Sequence, residues 1–454
     1  MKRPEHKEKE LCYFCLSSAV VLLVAAFLFA SPKEILDGMI TIIRSRDALI
    51  TDYFQLAGYG AAFFNAGIML LFAMGLVKLA DVPYSGVTLA AIFINVGFAF
   101  WGKNPVNVIP IVLGTWCYAR LHKMHFARVV YTAIFGTCLA PFVTELVYIL
   151  PYSVGWNLII AVVVGLMIGF IMTPLSMHTA AMHMGYNLFN VGFAGGIIAF
   201  VIYSVLKSMG ITSQSAYLWK AEKHTGIVIG LFIYFVVIFF LGLWLSEGNT
   251  KGMLKIFKHP GRAVADFVMM DGAGTTLMNM AILGVVAECY VLLIGGDISG
   301  PVVGGIFAVF AFGAFGAHLR NYFPVLLGVY LSSMYSIYAA NSSSMLIAAL
   351  FVVGIAPIAG QFGLIPGILS GMLHASVVTC TSQLYSGLNL YNNGFAAGFV
   401  AIVMVPLIES GMRRFEMHKN EKEKRINLKN VLPLEKSLCS DKESQVEVQS
   451  DVEK

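Results

Sequence analysis

At 454 residues, 58% of them hydrophobic and only 12% charged, the chain is too apolar for a soluble enzyme of ordinary type. The charges are also concentrated at the ends: residues 1–10 hold 7 of the 55 and residues 413–454 hold 19, which leaves 29 for the 402 between. The net charge of +5 therefore belongs to loops and tail and does not speak for nucleic acid as a partner.

In chain order, the first apolar stretch, about 11–30, follows a charged start and precedes Ala30-Ser31 and a proline, the look of a cleaved signal peptide. It corresponds in an internal repeat to the stretch at 225–245, embedded mid-chain, and is therefore expected to be retained. Further spans are expected near 58–79, 85–101, 105–120, 128–150, 155–174 and 190–208. The second half repeats the series near 225–246, 275–295, 298–315, 322–337, 345–360, 362–375 and 392–410. The segments 175–189 and 376–391 are too short to cross about 30 Å as helices, yet rich in Met, Tyr and small residues. They read as re-entrant or broken helices lining a cavity. Residues 247–272 carry Lys251, Lys255 and Lys258 and suggest an amphipathic surface helix.

The repeat is gapless over residues 19–114 and 233–328, at an offset of 214. It pairs Asp52 with Asp266, Gly58 with Gly272, Asn65 with Asn279, Gly86 with Gly300, Asn107 with Asn321 and Pro110 with Pro324. It resumes at an offset of 202, where Asn187-Leu-Phe-Asn190-Val-Gly192-Phe193 answers Asn389-Leu-Tyr-Asn392-Asn-Gly394-Phe395. Seven spans per half is odd, so the halves should be inverted in the membrane. Lys and Arg place the 120–128 loop, residues 251–262 and Arg413-Arg414 in the cytoplasm, whereas the uncharged matching loop 334–345 falls outside. The expected fold is thus an all-α polytopic membrane protein with about 14 transmembrane helices in two inverted-topology repeats. It divides into a cytoplasmic N-terminus (1–10), repeats at 11–210 and 211–410, and a charged cytoplasmic tail (411–454). Both termini face the cytoplasm, in the cell membrane.

Asparagine is costly in lipid unless its amide finds partners, caps helix starts, and can present its amide to a solute. Asn187, Asn190, Asn389 and Asn392, with Gly192 and Gly394 giving backbone access, are the candidate substrate-binding residues, weighed against helix packing. A second candidate is the pair of connections Gly102-Lys103-Asn104-Pro105-Val-Asn107 and Gly316-Ala-His318-Leu-Arg320-Asn321. Asn107 and Asn321 could line the pathway there. Lys103 and Arg320 could form an anion-attracting vestibule, but snorkelling at the interface is the preferred reading of both. Glu145 and Glu288, each within a predicted span and neither duplicated, are candidates for proton coupling. Asp52 and Asp266 precede spans and are expected to cap helices. His178 and His374 occupy similar places in the re-entrant segments and are pathway candidates. No metal-ligand spacing, phosphate loop, nucleophile elbow or His-Glu-x-x-His motif occurs, and Cys12-x-x-Cys15 lacks a second ligand pair. No metal, no cofactor and no enzymatic activity are expected.

The duplicated Asn-x-x-Asn-x-Gly-Phe element and the full-length layout resemble a bacterial membrane family known as domain of unknown function 1576, over about residues 10–410. Tyr186-Asn-Leu-Phe-Asn190-Val-Gly192 is faintly similar to the Tyr-Gly-Phe-Asn-Gly segment of urea channels, in a different residue order. The expected function is a secondary transporter or facilitator for a small polar metabolite. The alternatives are a passive urea-like solute channel or a non-transporting scaffold or sensor acting through the tail. The implied partners are a small polar solute and the lipid bilayer, with a homo-oligomer left open.

Overall fold

The computed structural model describes residues 5–48, 50–213 and 217–414. Among these the chain is helical, and its only pairings of β type are isolated bridges, Thr51 with Leu218 and Asp266 with Phe315. It divides into a large unit, residues 1–402, and a second unit, residues 403–454, whose described residues 403–414 are helical. The expected cytoplasmic tail lies, from residue 415 onward, outside the described residues.

The first half holds α1 (Glu5–Phe29), α2 (Pro32–Arg44), α3 (Tyr53–Ala80), α4 (Gly86–Phe98), α5 (Ile109–Leu121), α6 (Val130–Gly136), α7 (Ala140–Ile149), α8 (Val154–Met182) and α9 (Asn190–Ser208). The second holds α10 (Thr225–Leu245), α11 (Lys251–Ile256), α12 (Phe267–Asp271), α13 (Ala273–Leu293), α14 (Gly300–Phe312), α15 (Leu319–Ser333), α16 (Ser343–Phe351), α17 (Ala356–Phe362) and α18 (Leu364–Thr381). A final helix, α19, spans Asn392–Arg414.

Ten helices among the described residues are long and apolar enough to cross a membrane, not fourteen. A helix does form at all fourteen expected places. At four of them it is short: α4, α5 and α14 have 13 residues and α15 has 15. At 1.5 Å per residue such helices reach only about 20 Å. Their apolar character reflects burial in protein as much as contact with lipid. Every residue of α14 is buried, as is every residue of α4 except Val87. These two short helices cross at the centre of the large unit. There a Cβ on Gly97 would lie 2.6 Å from the Gly304 carbonyl oxygen, so only glycine admits the contact.

The segments expected to be re-entrant are mostly helix. Residues 175–182 continue α8 past Pro174, and residues 376–381 continue α18. Irregular, largely buried backbone occupies the rest of both segments, in the short runs before α9 and α19, and lies also between α4 and α5 and between α14 and α15. One element was not anticipated. Ser31 and Glu34 form a reciprocal capping box and Pro32 opens α2, whose Ile35, Gly38 and Ile42 face inward. In the 247–272 region α11 is six residues long, with Met253 and Ile256 buried.

The two halves are built alike. Asp52 caps α3 and Asp266 caps α12, as expected, and a backbone break follows each first turn at Gly58 (φ 80°) and Gly272 (φ 88°). Asn65 donates to the carbonyls of Ala99 and Lys103, each at 2.7 Å. Asn279 donates to those of Gly313 and Ala317, at 2.7 and 2.8 Å. These four acceptors are themselves related by the 214-residue offset. Each asparagine therefore ties its long helix to the broken segment of its own half.

Candidate functional site

The Asn-x-x-Asn-x-Gly elements lie against one another where the halves meet. Asn187 Nδ2 donates to the Gly394 carbonyl (3.1 Å) and its Oδ1 accepts from Phe189 N (2.9 Å). Asn389 repeats the inner turn, its Oδ1 accepting from Tyr391 N (3.0 Å). Asn190 Oδ1 accepts from Thr179 (2.8 Å) and meets His183 Nε2 (2.9 Å), while its Nδ2 donates to the Ser176 carbonyl (2.8 Å). Asn392 sits in the matching cage of Thr381 (2.8 Å), the Tyr385 hydroxyl and the Val378 carbonyl (3.0 Å). Gly192 and Gly394 let the elements touch: a Cβ on Gly394 would stand 3.0 Å from Gly192 Cα, and one on Gly192 would enter the Tyr391 ring.

The caged partners correct one pairing. At the 202 offset His183 corresponds to Tyr385, and both hold the amide oxygen of the second asparagine. His178 is exposed on α8. His374 is fully buried and bonded through Nε2 to Asn393 Oδ1 (3.1 Å). The two histidines do not share a site.

The broken connections are fastened by their asparagines. Asn107 Nδ2 reaches the Gly102 carbonyl, Asp47 Oδ2 and Thr144 Oγ1, each at 3.1 Å. Asn321 forms a capping box with His318 and donates to the Gly316 carbonyl (2.9 Å). The cations differ. Arg320 is exposed and donates to the Phe257 carbonyl (3.1 Å). Lys103 does not snorkel: it is 1% exposed, its ammonium 5.0 Å from the centre of the Phe98 ring. The turn at Gly102 folds the side chain back along α4 rather than outward.

Glu145 is fully buried but paired, accepting from Arg46 Nε (3.0 Å) and Ser213 Oγ (2.6 Å). Asp47, which carries no signal in the sequence, lies close enough to feel the Glu145 charge and accepts from Tyr53, Thr144 and Asn107. Burial pushes the Asp47 carboxyl up to about 7 against those donated bonds. Glu288, on α13, is 1% exposed, and neither of its carboxylate oxygens has a hydrogen-bond partner among the described residues.

A cavity of about 430 Å³ reaches from exposed Lys207, Tyr217 and Gln383 to buried Trp101, Leu390, Asn392 and Asn393. It joins one asparagine element to the broken segment after α4. Trp101 carried no sequence signal for this role, since an aromatic beside a Gly-Pro break reads as an interfacial anchor. No group of three or more potential metal ligands occurs among the described residues.

No curated protein and no solved structure matches the chain, so the similarity to urea channels has no support. The family described as "Protein of unknown function (DUF1576)" matches residues 31–208 and 245–410, which takes in both asparagine elements, both broken connections and the crossing helices. That match spans well over half of the sequence, and the chain belongs to this family.

Proposed function

We propose that the protein is a secondary transporter or facilitator of a small polar solute, built from two inverted repeats with both termini in the cytoplasm. The observation that carries this reading is the cavity ending at Asn392, Asn393 and Trp101, where the irregular backbone of one half meets the asparagine element of the other. Irregular backbone within a membrane is tolerated where it is enclosed by protein or lines a cavity, and transporters bind solute at such breaks. The volume suits a molecule of metabolite size. Glu288, buried without a partner, is the residue proposed to carry a coupling proton. Glu145 is tied to Arg46 and serves structure instead.

Purified protein reconstituted into liposomes, with uptake of labelled small metabolites followed with and without a proton gradient, tests the reading. Uptake should exceed that of protein-free liposomes, fall at least about tenfold in Asn392→Ala, and respond to the gradient. In Glu288→Gln, gradient-driven accumulation should disappear while solute exchange at equal pH persists. Uptake no faster than in empty liposomes across the whole panel would remove the proposal.

A further inference from the structure

Near the Phe98 ring the large unit gathers buried hydrogen-bond donors that have few or no partners among the described residues. Lys103 Nζ makes a single bond, to Asn95 Oδ1 at 3.2 Å, and forms no ion pair among the described residues. Trp101, whose ring centre is 5.6 Å from that of Phe98, leaves Nε1 without a partner. Tyr391, at 4.8 Å, leaves its hydroxyl without one. Asn389, bonded to the Tyr391 backbone, leaves Nδ2 unused. Each of the four residues is at most 1% exposed.

Burial disfavours the charged form of a lysine unless an anion meets it, and buried donors left without partners add to the cost of the unfilled arrangement. The backbone gives Lys103 no freedom to leave. Its N–H is bonded to the Phe98 carbonyl (3.2 Å) and its own carbonyl to Asn65 (2.7 Å). Each of the four groups has a proton to donate, and Lys103 is held charged when an anion meets it, so a negatively charged acceptor would satisfy them together. The position matching Lys103 in the other half is Ala317, so the charge is single.

The geometry points to a small monoanionic carboxylate as the solute, held by Lys103 with Trp101, Tyr391 and Asn389 as neutral donors. This rests on the transport reading above and names the class of solute for the same site. The route supports it. Trp101 and Leu390 form the inner wall of the cavity, Leu390 packs on the Gly102 backbone beside Lys103, and the Leu390 N–H is bonded to the Cys138 carbonyl (3.1 Å). Among the described residues the cavity lining carries one cation, Lys207, and no acid, a bias that draws anions toward the mouth.

Thermal unfolding of the full-length protein in detergent, at matched ionic strength, tests the assignment. The probes are acetate, lactate and benzoate against acetamide, lactamide and benzamide, with sodium chloride as reference. At least one carboxylate should raise the melting temperature in a saturable way while its amide does not. Lys103→Met should weaken that response at least tenfold in apparent affinity. Trp101→Phe and Tyr391→Phe, which keep the rings and remove single donors, should weaken it about three- to tenfold. They carry the test if Lys103→Met does not fold. The assignment is overturned if an amide or chloride works as well as the carboxylates, if the folded variants respond like the parent, or if no carboxylate acts. An amide that stabilises the protein and enters proteoliposomes would leave transport standing and remove the anion. Absence of both binding and uptake would remove both.

Discussion

Asp266 receives three backbone N–H groups from two helices: Met269 of its own α12 (3.1 Å) and Gly86 and Val87 at the start of α4 (2.8 and 3.2 Å). A carboxylate at a helix start meets both the unpaired N–H groups and the positive end of the helix dipole. Removing it strands three donors where α4 enters the core. Asp266→Ala should therefore lose about 2–4 kcal/mol of stability, read as a fall in melting temperature, whereas Asp37→Ala on the exposed face of α2 should change little. Asp47 adds a pH dependence. Its folded carboxyl is raised to about 7, above the ordinary value near 4, so its contribution to stability is fully present at low pH. That contribution drains away as pH climbs through neutrality, with Arg46, Glu145 and Tyr53 as its charged and titratable neighbours. The melting temperature should fall between pH 5 and 8 by an amount that shrinks in Asp47→Asn. An equal fall in the variant would show that another group titrates.

Among the elements, the crossing of α4 and α14 decides which helices are spans and which are core. Gly97→Val would push a side chain into the Gly304 carbonyl, contact between two backbones that cannot yield. It should cost at least about 3 kcal/mol or abolish monodisperse protein on size exclusion. Gly75→Ala on α3, with nothing within 4 Å of the added methyl, should instead stabilise by about 0.5–1 kcal/mol. The difference between these helices is what the sequence could not express. Thirteen apolar residues enclosed by protein look the same as the middle of a lipid-facing span, so helix positions were legible and their lengths were not. The capping box of α2 was legible but hidden among louder apolar stretches. At the site, duplication exposed the asparagines, because a repeated Asn in an apolar chain must have a repeated partner. The same signal could not reach Lys103 or Trp101, which have no counterpart, and a Lys beside Gly and Pro reads as a surface residue until the turn at Gly102 is seen.

On the scale of the whole molecule, the repeats exchange contacts reciprocally. Asp52 bonds to Gly300 N (3.0 Å) and Asp266 to Gly86 N (2.8 Å), so each half caps the short buried helix of the other. Phe193 packs on Gly398 and Phe395 on Gly196 in the same crossed manner. Reciprocity of this kind is the mark of a two-fold relation between the halves. If that axis lies in the membrane plane, matching loops emerge on opposite sides, as the basic residues around Lys123 and their absence around Asn341 suggest. Both loops are exposed, which makes them accessible to a reagent. In a background with Cys439 and with Cys117 and Cys380, the two exposed cysteines among the described residues, replaced by serine, Lys123→Cys and Asn341→Cys can be labelled separately with a membrane-impermeant maleimide. Asn341→Cys should react on intact cells, and Lys123→Cys only after the membrane is permeabilised. Labelling of both from one side would place the axis along the membrane normal instead. The cavity and the buried donors would then remain, but alternating exposure of one central site by two inverted halves would lose its structural basis.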